Sequence, residues 1–147
     1  MARSQFVYVT YIRTTPDKLW AALTTPEIMK DYWFGAVIET DWKAGSAWRM
    51  LYPDGRVSDG GEILEAVPNS LIVMKWRNEW RPELNAEGSA QCRIAIEPAG
   101  KVVKLTIEHT IERSPSKLIE AVSSGWPKIV SNLKSLLETG SVVLTEK

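Results

Sequence analysis

Hydrophobic and polar residues change their spacing twice along the chain, and these changes divide it into three parts. Residues 5–12 are rich in β-branched and aromatic side chains, which predicts a first strand. Two short helices are predicted next, because Thr15 with Pro16 and Thr25 with Pro26 each combine a capping hydroxyl with a proline suited to the first helical turn.

A period of two then runs through residues 36–111 and predicts strands with one covered and one exposed face. Short turns at residues 53–55 and 98–100 contain proline and glycine, so the pattern predicts a six-stranded antiparallel meander. Within it, Gly60 and Gly61 predict a bulge. The alternation also places Glu65 on the side of Ile63, where its carboxylate would need a partner if that side is covered.

A helical pattern closes the chain. We expect Ser114 with Pro115 to start this helix and Gly140 to end it, because the apolar positions between them form one stripe. Pro127 lies inside the pattern and predicts a kink or a restart near residues 124–126. The element order predicts an α+β fold, in which a strongly curved antiparallel sheet of about seven strands wraps around the long C-terminal helix.

Composition narrows the classes of function. The 147 residues include 18 Lys and Arg against 18 Asp and Glu, and a formal net charge of zero argues against a nucleic-acid partner. The length predicts one domain over residues 1–147. One cysteine excludes an internal disulfide, and no apolar run reaches the about 20 residues of a membrane helix, so we expect a cytoplasmic protein without membrane insertion. The excess of aromatic residues lies in tryptophan, with seven Trp against four Tyr and two Phe.

Several motifs follow one another in a distinctive order. They are Pro16 with Leu19, Trp20, Leu23 and Thr24; Thr25, Pro26 and Glu27; Trp33, Phe34 and Gly35; residues 61–65 with Pro68; residues 71–76; His109; and Gly125 and Trp126 with Ile129, Leu133, Leu136 and Leu137. In this order they resemble the Hsp90 ATPase activator homologue branch of the START and birch-pollen-allergen (SRPBCC) superfamily. The resemblance covers residues 5–139, with Pro127 as a departure, and it implies the helix-grip fold, which often encloses a cavity between sheet and helix.

The inward positions of the strands and of the final helix define a candidate cavity wall for a small apolar ligand. These residues are Trp33, Trp48, Met50, Tyr52, Met74, Trp76, Asn78, Cys92, Ile94, His109, Trp126 and Ile129. The alternative is that the same side chains fill a solid core, because aromatic stripes usually do. Residues 81–88 contain Pro, Asn and Gly and are candidates to gate the mouth of such a cavity.

His109 is the one histidine, and it falls on the inward, otherwise apolar side of its strand. A ligand contact or a buried imidazole bonded to Tyr52 or Asn78 is favoured over acid–base catalysis, because the sequence places no second catalytic group. Cys92 is expected to be a small buried hydrophobe. One Cys and one His do not make a metal site, and no cofactor-binding motif occurs, so neither a metal nor a cofactor is expected.

Three functions follow, in this order. The first is binding of a small apolar molecule in an internal cavity. The second, implied by the resemblance, is a chaperone-associated interaction protein, although the eukaryotic activators carry an additional amino-terminal domain that this sequence lacks. The third is a hydrolase or cyclase that uses His109. An exposed apolar patch would favour the second function or a homodimer.

Overall fold

Seven strands and four helices make up the computed structural model, which describes residues 2–146. The elements in chain order are β1 (Ser4–Ile12), α1 (Pro16–Thr24), α2 (Pro26–Tyr32), β2 (Val37–Glu39), β3 (Ala47–Leu51), β4 (Val57–Val67), β5 (Leu71–Asn78), α3 (Pro82–Asn85), β6 (Ala90–Ala99), β7 (Val102–Ile111) and α4 (Lys117–Thr139). The predicted α+β fold, with two short helices after the first strand and a long final helix, is confirmed. The four-residue helix α3 was not predicted.

The strands form one antiparallel sheet in the order β1-β7-β6-β5-β4-β3-β2. The predicted six-stranded meander is therefore β2 to β7, and the first strand pairs with the last, from Ser4 opposite Ile111 to Ile12 opposite Val103. The two edge strands of the sheet are therefore β1 and β2. The sheet is curved, and α4 lies against its concave face.

One face of the sheet is the core. A row of side chains crosses it from β4 to β1, with Ile63, Met74, Cys92, His109 and Phe6 in register on consecutive strands. Four of these five residues are fully or almost fully buried, and Phe6 packs against them. The opposite face of β1 leaves Val7, Val9 and Tyr11 about half exposed.

Two β-bulges break the alternation of β4, and neither lies at the glycine pair. In the pairing of β3 with β4, the register shifts between Met50 and Leu51. In the pairing of β4 with β5, it shifts between Ile63 and Glu65. The second shift adds one residue on β4, so the expectation that Glu65 shares the covered side of Ile63 is wrong, and Glu65 is exposed.

The predicted bulge at Gly60 and Gly61 is also wrong, since both residues pair in register with β3 and β5. Gly61 is required for close approach instead. A Cβ on Gly61 would overlap the carbonyl oxygen of Lys75 and lie 3.0 Å from Nε1 of Trp48. Any larger residue would therefore displace the backbone of β5 at Lys75 and crowd the Trp48 ring.

Helix α4 spans 23 residues, or about 35 Å, and covers the concave face of the sheet. Ser116 caps it by accepting a hydrogen bond from the Ile119 amide at 3.1 Å, and Gly140 ends it in the left-handed region with φ of 88°. The helix runs through Pro127 without a restart, which corrects that part of the prediction. Proline removes one intrahelical hydrogen bond, and the buried side chains of Trp126, Ile129 and Leu133 hold both halves against the core.

Candidate functional site

A pocket of about 320 Å³ opens between α4 and the end of the sheet formed by β3, β4 and β5. The sheet contributes Met50, Asp59, Trp76 and Asn78 to its lining. Helix α4 contributes one face, which includes Ala121, Val122, Gly125, Trp126, Lys128 and Ile129. The wall is completed by Trp33, by Leu118 and Ser124 of α4, and by a rim of Tyr52, Trp80, Arg81 and Leu84.

The inner wall consists of indole rings that contact one another edge to face. The ring centroids of Trp33 and Trp126 lie 5.3 Å apart, and those of Trp76 and Trp126 lie 5.9 Å apart. Such edge-to-face pairs are favourable beyond the apolar area that they bury. The wall is therefore a preformed apolar surface made of three rings.

Gly61 allows the indole of Trp48 to support this wall from behind. Trp48, Gly61 and Trp76 lie in register on three neighbouring strands. The Trp48 ring reaches across Gly61, donates from Nε1 to the carbonyl oxygen of Lys75 at 2.9 Å, and lies with its centroid 4.6 Å from that of Trp76. Trp48 itself does not line the pocket, and it fixes Trp76 by packing.

Asp59 holds the other edge of the Trp76 ring. Nε1 of Trp76 donates to Oδ2 of Asp59 at 2.8 Å, and both residues line the pocket. This hydrogen bond fixes one edge of the ring and so sets the orientation of the indole. The sequence interpretation did not single out Asp59; its inward position on β4 was the signal that could have found it.

Asn78 joins the end of β5 to the rim. Its Oδ1 accepts hydrogen bonds from the backbone amides of Trp80 and Arg81, at 3.1 and 2.7 Å. Its backbone carbonyl accepts a bond from Nδ2 of Asn85 at 2.8 Å. Asn78 thereby fixes the turn that leads into α3, so residues 81–88 hold a short helix at the pocket rather than an irregular loop.

A cation and two aromatic rings form the outer part of the rim. The guanidinium carbon of Arg56 lies 3.6 Å from the ring centroid of Trp80 and 5.1 Å from that of Tyr52. The two rings are nearly perpendicular, with centroids 6.3 Å apart. Cation–π contacts of this kind are worth about 0.5–1 kcal/mol at exposed sites. They hold the β3–β4 turn against the β5–α3 connection at the mouth.

His109 lies behind the inner wall and does not line the pocket. It is fully buried, and its Nδ1 accepts a hydrogen bond from Nε1 of Trp126 at 3.2 Å. Burial lowers its pKa to about 3, so the imidazole is neutral near pH 7 and its proton is on Nε2, which has no partner among residues 2–146. The expected hydrogen bond to Tyr52 or Asn78 is wrong, because Trp126 takes that place.

This geometry gives His109 a positioning role. The imidazole is neutral and buried, and its hydrogen bond from Nε1 of Trp126 fixes the position of that indole in the wall. Cys92 is likewise buried, and burial raises the pKa of its thiol, as expected for an inert side chain.

The twelve nominated cavity-wall residues fall into two groups. Seven of them line the pocket, namely Trp33, Met50, Tyr52, Trp76, Asn78, Trp126 and Ile129. Trp48, Met74, Cys92, Ile94 and His109 are buried beside it in the core instead. The alternation of apolar and polar residues identifies the covered face of the sheet. It does not show which end of that face α4 leaves open and which part is filled by side chains. The role of the seven as ligand contacts stays a prediction.

Across residues 2–146 no three His, Cys, Asp or Glu side chains cluster closely enough to hold a metal ion. In the same residues, none of the helices has the length and apolar character needed to cross a membrane.

Comparison with known proteins places this chain in a family. Residues 13–138 match the family described as Activator of Hsp90 ATPase homolog 1-like protein. The human Activator of 90 kDa heat shock protein ATPase homolog 1 is 38% identical over 71 residues, which are 48% of this chain and 19% of the human protein. The matched region therefore spans less than a fifth of that relative.

Two solved structures share the architecture. The Aha1 dimer from Colwellia psychrerythraea has a TM-score of 0.75 at 17% identity and covers 93% of this chain and 98% of its own. An HSP90 activator from Plasmodium falciparum has a TM-score of 0.74 at 20% identity, over 90% of this chain and 95% of its own. At these identities the likeness shows the fold. Because the family match extends over most of the sequence, from the residue after β1 to the last turn of α4, the chain belongs to the Activator of Hsp90 ATPase homolog 1-like protein family.

Proposed function

We propose that this chain binds a small apolar molecule in the pocket between α4 and the sheet. The observation that carries the proposal is the pocket itself, an unfilled space of about 320 Å³ bounded by the indoles of Trp33, Trp76 and Trp126. Ligand pockets have volumes of about 300–1,000 Å³ and apolar walls with a few polar groups. The space is at the lower end of this range, which fits a ligand of one or two rings or a short chain.

Polar side chains form part of the wall beside the three indoles, which supports a ligand with one polar end. Asp59 and Asn78 are on the sheet side, Arg81 is at the rim, and Ser124 and Lys128 are on α4. Oδ2 of Asp59 already accepts a hydrogen bond from Trp76, and Arg81 pairs with Glu83 at 2.9 Å. An apolar body would face the three indoles, and a polar end would face the rim.

Tryptophan fluorescence tests this proposal. The purified chain is titrated with a panel of lipids, flavonoids and hydrophobic acids, alongside the variants Trp76→Phe and Trp20→Phe. Trp20 is on α1 and does not line the pocket, so it is the matched control. We expect saturable quenching that is reduced in Trp76→Phe and preserved in Trp20→Phe. No saturable response to any compound, or an equal reduction in both variants, would contradict the proposal.

A second candidate is stimulation of an Hsp90-type ATPase. The identity of 38% to the human activator over 71 residues supports it. The steady-state ATPase rate of purified Hsp90 is measured with increasing amounts of this chain, and a saturable increase is expected. A rate that stays constant at a large molar excess of the chain would exclude this role. The pocket variants serve here as well, because an unchanged stimulation by Trp76→Phe would separate the two functions.

A homodimer is the third element of the proposal, supported by the dimeric relative from Colwellia psychrerythraea. The surface that a second copy would cover is the outer side of β1, where Val7, Val9 and Tyr11 are 48%, 46% and 51% exposed. Light scattering at several concentrations measures the mass of the chain and of Val9→Lys. We expect a dimer that Val9→Lys weakens, and a concentration-independent monomer would overturn this assignment.

A further inference from the structure

Gly125 leaves the middle of α4 without a side chain at the pocket. It is one helical turn from Ala121 on one side and from Ile129 on the other, and all three residues line the pocket. A Cβ built on Gly125 would meet no heavy atom within 4 Å. The packing of the protein therefore does not require glycine at this position.

Glycine in a helix interior is nevertheless unfavourable, by roughly 0.5–1 kcal/mol relative to alanine. No turn, cap or positive φ accounts for Gly125, which lies inside the helix with ordinary helical geometry. What glycine does provide is space, because Ala121, Ser124 and Gly125 leave this part of the wall without a large side chain. The Trp76 indole on β5 lines the same pocket.

Asn78 presents a hydrogen-bond donor to the same pocket. The side chain is in a residue only 7% exposed, and the two backbone amides that donate to Oδ1 fix which end of the side-chain amide is oxygen. Its Nδ2 is then the remaining polar atom, and within residues 2–146 no acceptor takes a hydrogen bond from it. Nδ2 is accessible on the pocket wall, so a ligand that brings an acceptor can take its hydrogen bond.

We infer that the ligand is a small planar aromatic molecule with a hydrogen-bond acceptor such as a carbonyl or carboxylate oxygen. Its ring lies against the backbone of α4 at Gly125 and the Trp76 indole, and its acceptor takes the hydrogen bond from Nδ2 of Asn78. Gly125 is thus a specificity-determining residue, because a side chain there would occupy the place of the ring. This inference rests on the proposed ligand-binding function and names its ligand class.

A matched pair of ligands and a matched pair of variants test it. The ¹⁵N-labelled chain is titrated with 2-acetylnaphthalene and with 2-ethylnaphthalene, which have nearly the same shape but differ in the acceptor, while the indole N–H signals of its seven tryptophans are followed. We expect shifts at Trp76 and Trp126 and about tenfold tighter binding of the acetyl compound, since its added hydrogen bond to Nδ2 of Asn78 is worth about 1.4 kcal/mol.

The variants are Gly125→Ala and Gly125→Leu, with Ser131→Leu as the control on an exposed position of α4. We expect Gly125→Leu to weaken binding by about tenfold or more and Gly125→Ala by less, because added methylene groups overpack a fitted site. Neither should lower the melting temperature, since both residues favour helix over glycine. Ser131→Leu should bind as the unsubstituted chain does.

The outcomes separate the inference from the proposed function. Equal affinity for the two naphthalenes overturns the role of Asn78, and undiminished binding by a folded Gly125→Leu overturns the role of Gly125; in both cases the pocket still binds ligand. If neither naphthalene binds while another compound of the fluorescence panel does, the inferred ligand class is wrong and the proposed function stands. If no compound shifts Trp76 or Trp126, both are overturned.

Discussion

The buried imidazole of His109 makes the stability of the chain depend on pH. Burial lowers its folded pKa from 6.5 to about 3, so between these values the unfolded chain binds a proton that the folded chain does not. The stability that this site contributes is present above pH 6.5 and is lost as the pH falls. We predict that the free energy of unfolding decreases by about 1.4 kcal/mol per pH unit from this group once the pH is well below 6.5.

Urea denaturation between pH 7 and pH 5 measures this slope above the range in which most carboxylates titrate. His109→Asn is the comparison, because its Oδ1 offers Trp126 an acceptor near the position of Nδ1 and the residue does not titrate. The variant should be less stable at pH 7 and nearly independent of pH in this window. His109 is the one histidine of the sequence, so no other imidazole contributes to the slope. If the free energy of unfolding falls with pH equally in both proteins, His109 is not the responsible group.

The N-terminus of α4 depends on a carboxylate from outside the helix. Glu87, in the connection between α3 and β6, accepts hydrogen bonds from the Ser116 hydroxyl and from the backbone amides of Lys117 and Leu118, at 2.6, 2.7 and 3.3 Å. Burial alone would raise its pKa, but these hydrogen bonds outweigh burial and the net shift is downward. The stabilisation is therefore present above the ordinary pKa of 4.5 and is lost as the pH falls through the lower, folded value.

We predict that Glu87→Gln destabilises the chain by about 1 kcal/mol at pH 7, which is the usual worth of a helix cap. Glu120→Gln is the control, since Glu120 is in the first turn of the same helix and the same charge is removed without loss of these bonds. Urea denaturation of both variants gives the two differences. A Glu120→Gln effect as large as that of Glu87→Gln would mean that the charge near the helix dipole matters and the capping bonds do not.

The elements were predictable from the sequence to the extent that local chemistry determines them. The two Thr–Pro pairs correctly predicted where α1 and α2 begin. The burial of β7 alternates regularly because strands pair with it on both sides and hold its register. The bulge at Leu64 was not predictable, because nothing in residues 63–65 shows that one residue is extra until β4 pairs with β5. The bond between His109 and Trp126 joins a strand to a helix, so pattern along either element alone could not show it.

The sequence predicted which side chains lie on the covered face of the sheet, but not which of them line the pocket and which are buried in the core. Alternation placed Trp76 and Cys92 on the same covered side, yet Trp76 lines the pocket and Cys92 is buried in the core. What separates them is the position of α4 over the sheet, which depends on contacts between distant parts of the chain. The sequence showed Gly125 only as part of the motif that resembles the family. That the glycine leaves this part of the pocket wall open is visible only in the structure, where a Cβ at this position would meet no heavy atom within 4 Å.

Asn132 ties three distant parts of the molecule together. It is fully buried on α4, and its Oδ1 accepts hydrogen bonds from the amides of Val143 and Leu144 at 3.1 and 2.7 Å. Its Nδ2 donates to the carbonyl oxygen of Leu144 at 2.9 Å and to that of Tyr32, at the end of α2, at 3.5 Å. One side chain thus satisfies part of the backbone of the C-terminal segment, which forms no strand within residues 141–146, and connects it to the core.

We predict that Asn132→Ala lowers the free energy of unfolding by about 2–4 kcal/mol, because buried polar groups lose their partners and a space is left. Hydrogen exchange should then become fast at Val143 and Leu144 while the amides of β6 and β7 stay protected. Ser135→Ala is the matched control, since the Ser135 hydroxyl also holds the segment, through the Ser141 carbonyl at 2.7 Å, but at an exposed position. It should cost less than about 1 kcal/mol. Slow exchange at Val143 in Asn132→Ala would show that the apolar contact of Val142 with the core retains the segment without the amide.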